Sequence, residues 1–181
     1  MELILVDERD VEIGVSEKYA AHTNGGMLHR SFSVLLFNSK KQILLQKRSS
    51  TKYHTPLLWT NTCCSHPMPG ETNNEAVRRR LMEELGCRTS CEEIFSFIYR
   101  AELGNGMVEH EFDHVFLGFC NDKYDFHINH NEISDFKWSS ICDICDEMTI
   151  SPEIYTPWFV IIMTNHLPLI YSWLDAYSFT N

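Results

Sequence analysis

The sequence predicts an α+β fold in which helices pack on the faces of a mixed β-sheet. Strand-like and helix-like segments both occur, and they interleave without a regular strand–helix–strand rhythm. The chain has 181 residues, of which 44% are hydrophobic and 22% are charged, a balance typical of a globular protein. Because it contains no internal repeat or Pro/Ser-rich linker, residues 1–181 are expected to form a single domain.

Four segments are predicted to form the main strands. The apolar segments Ser31–Asn38 and Gln42–Arg48 are separated by a short polar turn, Ser39–Lys41. They predict a hairpin whose strands are buried on both faces. Two more strands are expected at Ile94–Ala101 and Val108–Phe119, joined by a Gly-Asn-Gly turn.

A helix is predicted from Asn73 to Leu85. Apolar residues recur at Val77, Leu81 and Leu85, which places them along one stripe that would face the core. Asn73 is the expected N-cap, and Gly86 is the expected end of the helix.

A second helix is predicted to begin at Thr156-Pro157, the arrangement of an N-cap followed by a first-turn proline. Pro168 is expected to break or kink it near its middle. The longest purely apolar stretch, Trp158–Met163, is far shorter than the roughly 20 residues of a transmembrane helix. No membrane span is therefore predicted.

Charge and cysteine content narrow the functional classes. The 25 Asp and Glu residues outnumber the 15 Lys and Arg residues, giving a formal net charge of −10. A nucleic-acid partner is not expected, because phosphate neutralisation needs a basic face.

Seven cysteines without a signal-peptide pattern indicate reduced thiols and a cytoplasmic location. Cys142 and Cys145 have no second pair, so ordinary packing is expected rather than a zinc site.

The predicted helix carries the most informative spacing. Arg80 and Glu84 are one turn apart, which fits either a surface ion pair or a carboxylate that holds a cation beside a phosphate. From Ser65 to Cys87 the pattern S-x5-E-x7-R-R-L-M-E-E-L-G-C resembles the Nudix signature, G-x5-E-x7-R-E-U-x-E-E-x-G-U with U apolar. Ser65 replaces the first glycine, and Arg80 replaces a glutamate that Nudix hydrolases use to bind metal. This departure argues against hydrolysis but not against a diphosphate ligand.

Three further segments refine the resemblance. They are Tyr19-Ala-Ala-His22, the loop Trp59-Thr-Asn-Thr-Cys-Cys-Ser-His-Pro67, and Glu109-His-Glu111. Together with the Arg80 variant of the signature, they resemble type I isopentenyl diphosphate isomerases from about Lys18 to Trp158. The resemblance implies an isomerase that interconverts isopentenyl and dimethylallyl diphosphate through a carbocation-like species.

A metal site is the second implication of the resemblance. Taken alone, a loop histidine is usually a surface residue. Glu109 and Glu111, by contrast, should share one face of a strand while His110 points away. Two adjacent carboxylates repel unless a cation lies between them. The resemblance assigns one divalent ion (Mn²⁺, Mg²⁺ or Zn²⁺) to a set of five residues. These are His22, His29, His66, Glu109 and Glu111.

The resemblance also identifies residues that bind the substrate diphosphate. Glu84 would help to hold a Mg²⁺ ion that bridges to it. Four cations would surround it, each of which could otherwise be an ordinary surface charge: Lys18, Arg48, Lys52 and Arg80. If these cations converge in so acidic a chain, a diphosphate site is favoured.

Four residues are expected to carry out the chemistry. Cys64 is the proposed general acid, since an unperturbed thiol is mostly protonated at neutral pH. It is preferred to Cys63 because it fills the Cys-x-His-Pro position of the resemblance. By the same resemblance, Glu111 would be the opposing acid/base, Tyr99 would assist proton transfer, and Trp158 would cover the reacting carbons with an electron-rich face.

Two alternatives remain at the level of the sequence. The intact Glu83-Glu84 pair favours a Nudix hydrolase, and a catalytically silent Nudix-like binding module would also explain the pattern. The expected partner is a small allylic or homoallylic diphosphate. The chain is expected to be a monomer or a weak dimer.

Overall fold

One mixed sheet of nine strands organises the computed structural model, which describes residues 1–23 and 25–177. Most neighbouring strands are antiparallel, and β3 and β8 are parallel. The strands are β1 Glu2–Val6, β2 Glu12–Glu17, β3 His29–Phe37, β4 Ile43–Arg48, β5 Trp59–Thr60, β6 Cys63–Ser65, β7 Cys91–Gly104, β8 Met107–Phe119 and β9 Ile133–Ser139.

The predicted first hairpin forms only in part. Strands β3 and β4 lie where the sequence placed them and are almost entirely buried, as expected. However, they pair at a single register position, Phe37 with Ile43. Strand β3 instead pairs along its length with β8, and β4 pairs with β9, because the strands diverge after the turn. The predicted hairpin is therefore confirmed at its turn, whereas most of the pairing of β3 and β4 is with other strands.

The helix predicted at 73–85 is confirmed as α2, Asn73–Leu85. Its N-cap is Thr72 rather than Asn73. The Thr72 side chain accepts from the Glu75 amide while the Glu75 carboxylate accepts from the Thr72 amide, a reciprocal capping box. Gly86 ends the helix at φ 62°, a left-handed conformation that favours glycine.

The C-terminal region is divided into two helices. Helix α4, Pro157–Asn165, begins as predicted, and α5, Leu167–Ala176, starts with Pro168 in its first turn. The predicted interruption at Pro168 is thus confirmed as a break. No helix among residues 1–23 and 25–177 is long and apolar enough to span a membrane.

Among the described residues, two further α-helices were not predicted, nor was a 3₁₀ helix at Pro152–Ile154. The two α-helices are the short α1, Lys18–His22, and α3, Ile141–Ile150. Cys142 and Cys145 lie on α3, where Cys142 is exposed and Cys145 packs against the core. The expectation of ordinary packing therefore fits Cys145 but is wrong for Cys142.

Two apolar cores cover the sheet. One contains α3, α4 and α5 side chains such as Ile144, Phe159 and Trp173, packed on residues including Leu35 and Val115. The other lies beneath α2. Continuous apolar strands such as β3 contribute to both cores, because their alternate residues point to opposite faces. The sheet is consequently fixed from both sides at the strands that carry the polar residues described next.

Candidate active site

Ten of the thirteen predicted site residues line one cavity of about 240 Å³, and His22, His29 and Glu84 are not among its lining residues. The four basic residues that were predicted to bind the diphosphate all line this cavity: Lys18, Arg48, Lys52 and Arg80. The other predicted residues that line it are Cys64, His66, Tyr99, Glu109, Glu111 and Trp158. The chain, with its net charge of −10, thus concentrates positive charge at one pocket.

Sheet register aligns three of the polar residues in one row. His29 of β3 is the parallel partner of Glu111 on β8, and Tyr99 of β7 is the antiparallel partner of the same Glu111. The Tyr99 hydroxyl donates to Glu111 Oε2 at 2.5 Å, while His66 Nε2 lies 2.9 Å from Glu111 Oε1. One oxygen of Glu111 therefore faces the phenol and the other faces the imidazoles.

Four buried side chains offer metal-ligating atoms that all lie within 4.8 Å of one another. They are His22, His29, His66 and Glu111. His29 Nε2 and His66 Nδ1 are buried without a hydrogen-bond partner in the described part of the chain. Leaving buried polar atoms unpaired is unfavourable, so this group fits a bound cation. In a neighbouring group, the ligating atoms also lie within 4.8 Å of one another; its members are His22, His54 and Glu109.

Backbone carbonyls orient two of the imidazoles. His22 Nδ1 lies 2.6 Å from Lys18 O, and His29 Nδ1 lies 2.8 Å from Met27 O. A carbonyl only accepts, so Nδ1 carries the proton in both rings and Nε2 presents its lone pair to the cluster. This tautomer is the one that a metal ion needs at Nε2.

Burial controls the charge of the site. It lowers the pKa of His66 to about 3 and, together with the charges of Arg48 and Lys18, that of His54 to about 2. Burial also disfavours a charged His22, but the 2.9 Å contact with Glu109 outweighs it and raises the pKa of His22. Neutral imidazole is the ligating form, and a divalent cation would replace the proton shared by His22 and Glu109.

Strand alternation separates the two adjacent cysteines. Cys64 lines the pocket, whereas Cys63 is fully buried in the core beneath α2, on the opposite face of β6. Burial raises the pKa of Cys64 to about 11, so this thiol stays protonated well above neutral pH. The sequence alone could not exclude Cys63, but its side chain lies on the other side of the sheet.

Trp158 forms the apolar wall of the pocket. Its indole Nε1 donates to Thr60 Oγ1 at 3.0 Å and to Asn61 Oδ1 at 3.2 Å, and only 4% of the residue is exposed. The guanidinium of Arg48 lies 5.4 Å from the centre of its ring. The indole is thus held with one face toward the cavity and its cations.

The cationic wall contains acidic partners. Arg80 forms an ion pair with Glu84 and lies 3.3 Å from Glu132, while Lys52 forms an ion pair with Glu132. Gln46 Nε2 also donates to Glu84 at 3.1 Å. Glu84 is not among the described side chains that line the cavity or the two metal-ligating groups. For the predicted Mg²⁺ role, the ion would have to reach the Glu84 carboxylate past Arg80, which is paired with it.

Among the histidine and acidic residues of the pocket region, sequence reasoning missed three. His54 and Glu132 line the cavity, and Asp113 is buried one step along β8 from Glu111, accepting from Ser33 at 2.8 Å. His54 lies in a loop without periodicity, and no motif spacing marks it or Glu132. Asp113 continues the alternation of Glu109 and Glu111, which was the available signal.

A family model described as the NUDIX domain matches residues 27–159. Solved structures agree with this assignment at the level of the fold. A Deinococcus radiodurans protein has a TM-score of 0.68 at 23% identity, covering 83% of this chain and 90% of its own. A C. elegans Ap4A hydrolase has a TM-score of 0.57 at 19% identity, covering 82% of this chain and 98% of its own.

Curated relatives are much more similar in sequence. The isopentenyl-diphosphate Delta-isomerase of Pectobacterium atrosepticum is 47% identical over 87% of this chain and 87% of its own length. Isomerase 2 of Photorhabdus laumondii is 46% identical with the same coverage of both chains. The Burkholderia multivorans isomerase is 39% identical over 94% of this chain and 96% of its own. The chain therefore belongs to the isopentenyl-diphosphate Delta-isomerase family of NUDIX-domain proteins.

Proposed function

We propose that this chain interconverts isopentenyl diphosphate and dimethylallyl diphosphate by one protonation and one deprotonation. The observation that carries the proposal is a single cavity that combines a protonated thiol, a carboxylate and four cations. Cys64, Glu111 and the basic residues all line this cavity. The substrate class agrees with the names of the curated relatives.

Cys64 is the proposed proton donor to the terminal CH₂ carbon of the alkene. Its half-buried thiol, with a pKa of about 11, is protonated at neutral pH and available to an unactivated double bond. Proton transfer forms a C–H bond from the alkene electron pair and leaves positive charge on the tertiary carbon. The charge of Arg48 favours the resulting thiolate, since it opposes the rise in the pKa of this thiol that burial causes.

Glu111 is the proposed base for a proton on the CH₂ carbon adjacent to the tertiary carbon, on its diphosphate side. The electron pair of the broken C–H bond then forms the new double bond between these two carbons and quenches the positive charge. The Tyr99 hydroxyl holds Glu111 Oε2 at 2.5 Å, which fixes the carboxylate and offers a route for its proton. In the reverse direction the two residues exchange roles.

Trp158 is proposed to stabilise the cationic intermediate. An indole face attracts positive charge, and its apolar surface excludes the water that would otherwise trap a carbocation. The hydrogen bonds to Thr60 and Asn61 fix the plane of the ring.

Divalent metals are the proposed cofactors, and the described residues fit them. A buried set of imidazoles and carboxylates suits Mn²⁺, Zn²⁺ or Mg²⁺, and the bound ion would orient Glu111 and neutralise adjacent carboxylates. We assign the five predicted residues to this centre: His22, His29, His66, Glu109 and Glu111. Glu84 is assigned to a Mg²⁺ that accompanies the diphosphate.

Hydrolysis is the competing activity, and two observations argue against it. Arg80 occupies a position where the Nudix signature has a metal-binding glutamate, and it pairs with Glu84. The C. elegans Ap4A hydrolase is only 19% identical, so its similarity supports the fold alone.

The test is isopentenyl diphosphate with purified protein and Mg²⁺ in deuterated buffer, followed by NMR. Isomerisation predicts dimethylallyl diphosphate with deuterium in the new methyl group and no release of phosphate. Phosphate release without rearrangement would establish a hydrolase. If neither occurred with metal-replete protein, a binding module would be the remaining function.

We further propose a cytoplasmic location and a monomer or weak dimer. The seven cysteines are all free thiols, which fits a reducing compartment. Sedimentation at several protein concentrations would test the oligomeric state.

A further inference from the structure

We propose that His54 is a direct ligand of the divalent metal centre, adding a fourth imidazole through Nε2. The inference deepens the proposed function, on which it rests for the presence of the metal. No motif marked this residue, and the five-residue site implied by the sequence does not contain it.

The position of His54 supports ligation. Its Nε2 lies 3.4 Å from Glu109 Oε1, and its ligating atom lies within 4.8 Å of those of His22 and Glu109. The ring is stacked on that of His22, with centroids 5.8 Å apart and an interplanar angle of 23°. His54 is only 6% exposed, so its nitrogen faces the cluster rather than solvent.

The other nitrogen of His54 repeats the arrangement found in the neighbouring imidazoles. Nδ1 lies 3.1 Å from Thr55 Oγ1, a hydroxyl that can accept its proton. His22 and His29 donate from Nδ1 to backbone carbonyls in the same way. In all three residues an outer partner at Nδ1 leaves Nε2 for the ion.

The segment between β4 and β5, residues 49–58, is built to hold this geometry. Arg48 donates to the backbone carbonyls of His54 at 3.2 Å and Thr55 at 3.0 Å. Thr55 and Leu57 have φ values of 44° and 60°, which are rare for residues with side chains and especially for a β-branched one. Backbone in this region persists where surrounding contacts hold it. A metal bond at His54 would add such a contact.

Two consequences follow for the centre. His22 belongs to both groups of ligating atoms, so an ion held there would draw His54 and Glu109 together with His29, His66 and Glu111. Four imidazoles and two carboxylates on one ion would give it six protein donors and favour Zn²⁺ or Mn²⁺ over Mg²⁺. Since residues 49–58 also carry Lys52, metal binding would order a segment that contacts the diphosphate. The ion would then organise the pocket rather than bind the alkene.

The test counts histidine nitrogens bound to Mn²⁺ by pulsed EPR, comparing protein with ¹⁴N- and ¹⁵N-labelled histidine. Wild-type protein should show four coupled nitrogens and His54→Asn three. Asn keeps a polar atom toward Thr55 but removes the one that faces Glu109. His130→Ala, a change at an exposed histidine, is the matched control and should retain all four.

Metal-binding affinity and amide hydrogen exchange provide the second measurement. His54→Asn should weaken Mn²⁺ and Zn²⁺ binding at least about tenfold and Mg²⁺ binding much less. Mn²⁺ should slow amide exchange in residues 49–58 of the wild type but not of the variant. Weaker binding with four nitrogens retained would overturn direct ligation, as would unchanged binding. Two spin-coupled ions per chain would overturn the single centre.

These results are independent of turnover. Four coupled nitrogens in a protein that does not isomerise the substrate would refute the proposed function while supporting His54 as a ligand. Normal isomerisation with only three nitrogens in the wild type would refute the ligand and leave the function standing.

Discussion

The two sides of the pocket are held in place by different means. On the sheet side, register across β3, β8 and β7 aligns His29, Glu111 and Tyr99, and cores on both faces fix the strands. On the cationic side, Arg80 and Lys52 come from a helix and a loop, and acidic partners hold them. The sheet side is therefore preorganised, whereas the cationic side must exchange acidic partners for a diphosphate.

This difference predicts that changes on the sheet side reduce turnover, while changes on the cationic side reduce substrate affinity. The largest effect is expected at Cys64. Cys64→Ala removes the proposed proton donor and should lower kcat by at least about 10³-fold, within the range of general acid catalysis. Cys63→Ala is the matched control, because Cys63 lies on the opposite face of β6. Initial rates with isopentenyl diphosphate measure both, and equal losses would contradict the assignment.

Metal removal should have the next largest effect. Chelation would leave Glu109 and Glu111 adjacent without a compensating cation, and Glu111 would lose its orientation. We expect a loss of turnover of at least about 100-fold, a lower melting temperature, and recovery of both on adding Mn²⁺ or Zn²⁺. Assays and calorimetry on the same chelated sample test this. Full activity after verified removal of metal would refute a required ion.

Arg80→Gln tests the cationic side. Losing one charged hydrogen-bonding group should raise the KM for the diphosphate about 10- to 100-fold with a smaller change in kcat. Arg78 is exposed on the same helix, so Arg78→Gln serves as the control and should leave KM nearly unchanged. Steady-state kinetics of the two variants distinguish these outcomes. A loss confined to kcat would show that Arg80 acts on the chemistry rather than on binding.

Tyr99→Phe should have the opposite effect to Arg80→Gln, lowering kcat rather than raising KM. It removes the 2.5 Å hydrogen bond to Glu111 Oε2 while keeping the ring that packs against the core. We expect kcat to fall about tenfold with little change in KM, as for one hydrogen bond to a charged group. Kinetics and circular dichroism of the variant check this. A raised KM at unchanged kcat would place Tyr99 in substrate binding instead.

The smallest expected effect is the response of the rate to alkaline pH. With the pKa of Cys64 near 11, only about 3% of this thiol is ionised at pH 9.5, against about 90% for an unperturbed thiol. The reactive form is the protonated one, so kcat should change by less than about twofold between pH 7.5 and 9.5. A tenfold fall with a midpoint near 8.5 would show that burial does not protect this proton.

The sequence predicted the elements whose signals are local. Helix α2 was recognised from its apolar stripe and Gly86, and the break at Pro168 followed from ring geometry. The N-cap was misplaced by one residue because Thr72 and Asn73 are both good caps. Pairing of β3 with β8 was not predictable, since the partners are about 80 residues apart and no local pattern encodes their register.

The same distinction between local signals and long-range contacts applies to the site. Spacing and residue type, together with the family resemblance, were enough to nominate the cations, the five candidate metal ligands and Cys64. Several of these residues fall within recognisable motifs, and the resemblance assigned the others. Only the tertiary structure brought in His54 and Glu132 and placed Cys63 on the opposite face. A side chain enters a site by pointing to it from any element, and that direction depends on loop conformation and strand alternation rather than on neighbours in sequence. The sequence thus determined which chemical groups are present, and the packing of the sheet, helix and loop decided which of them meet.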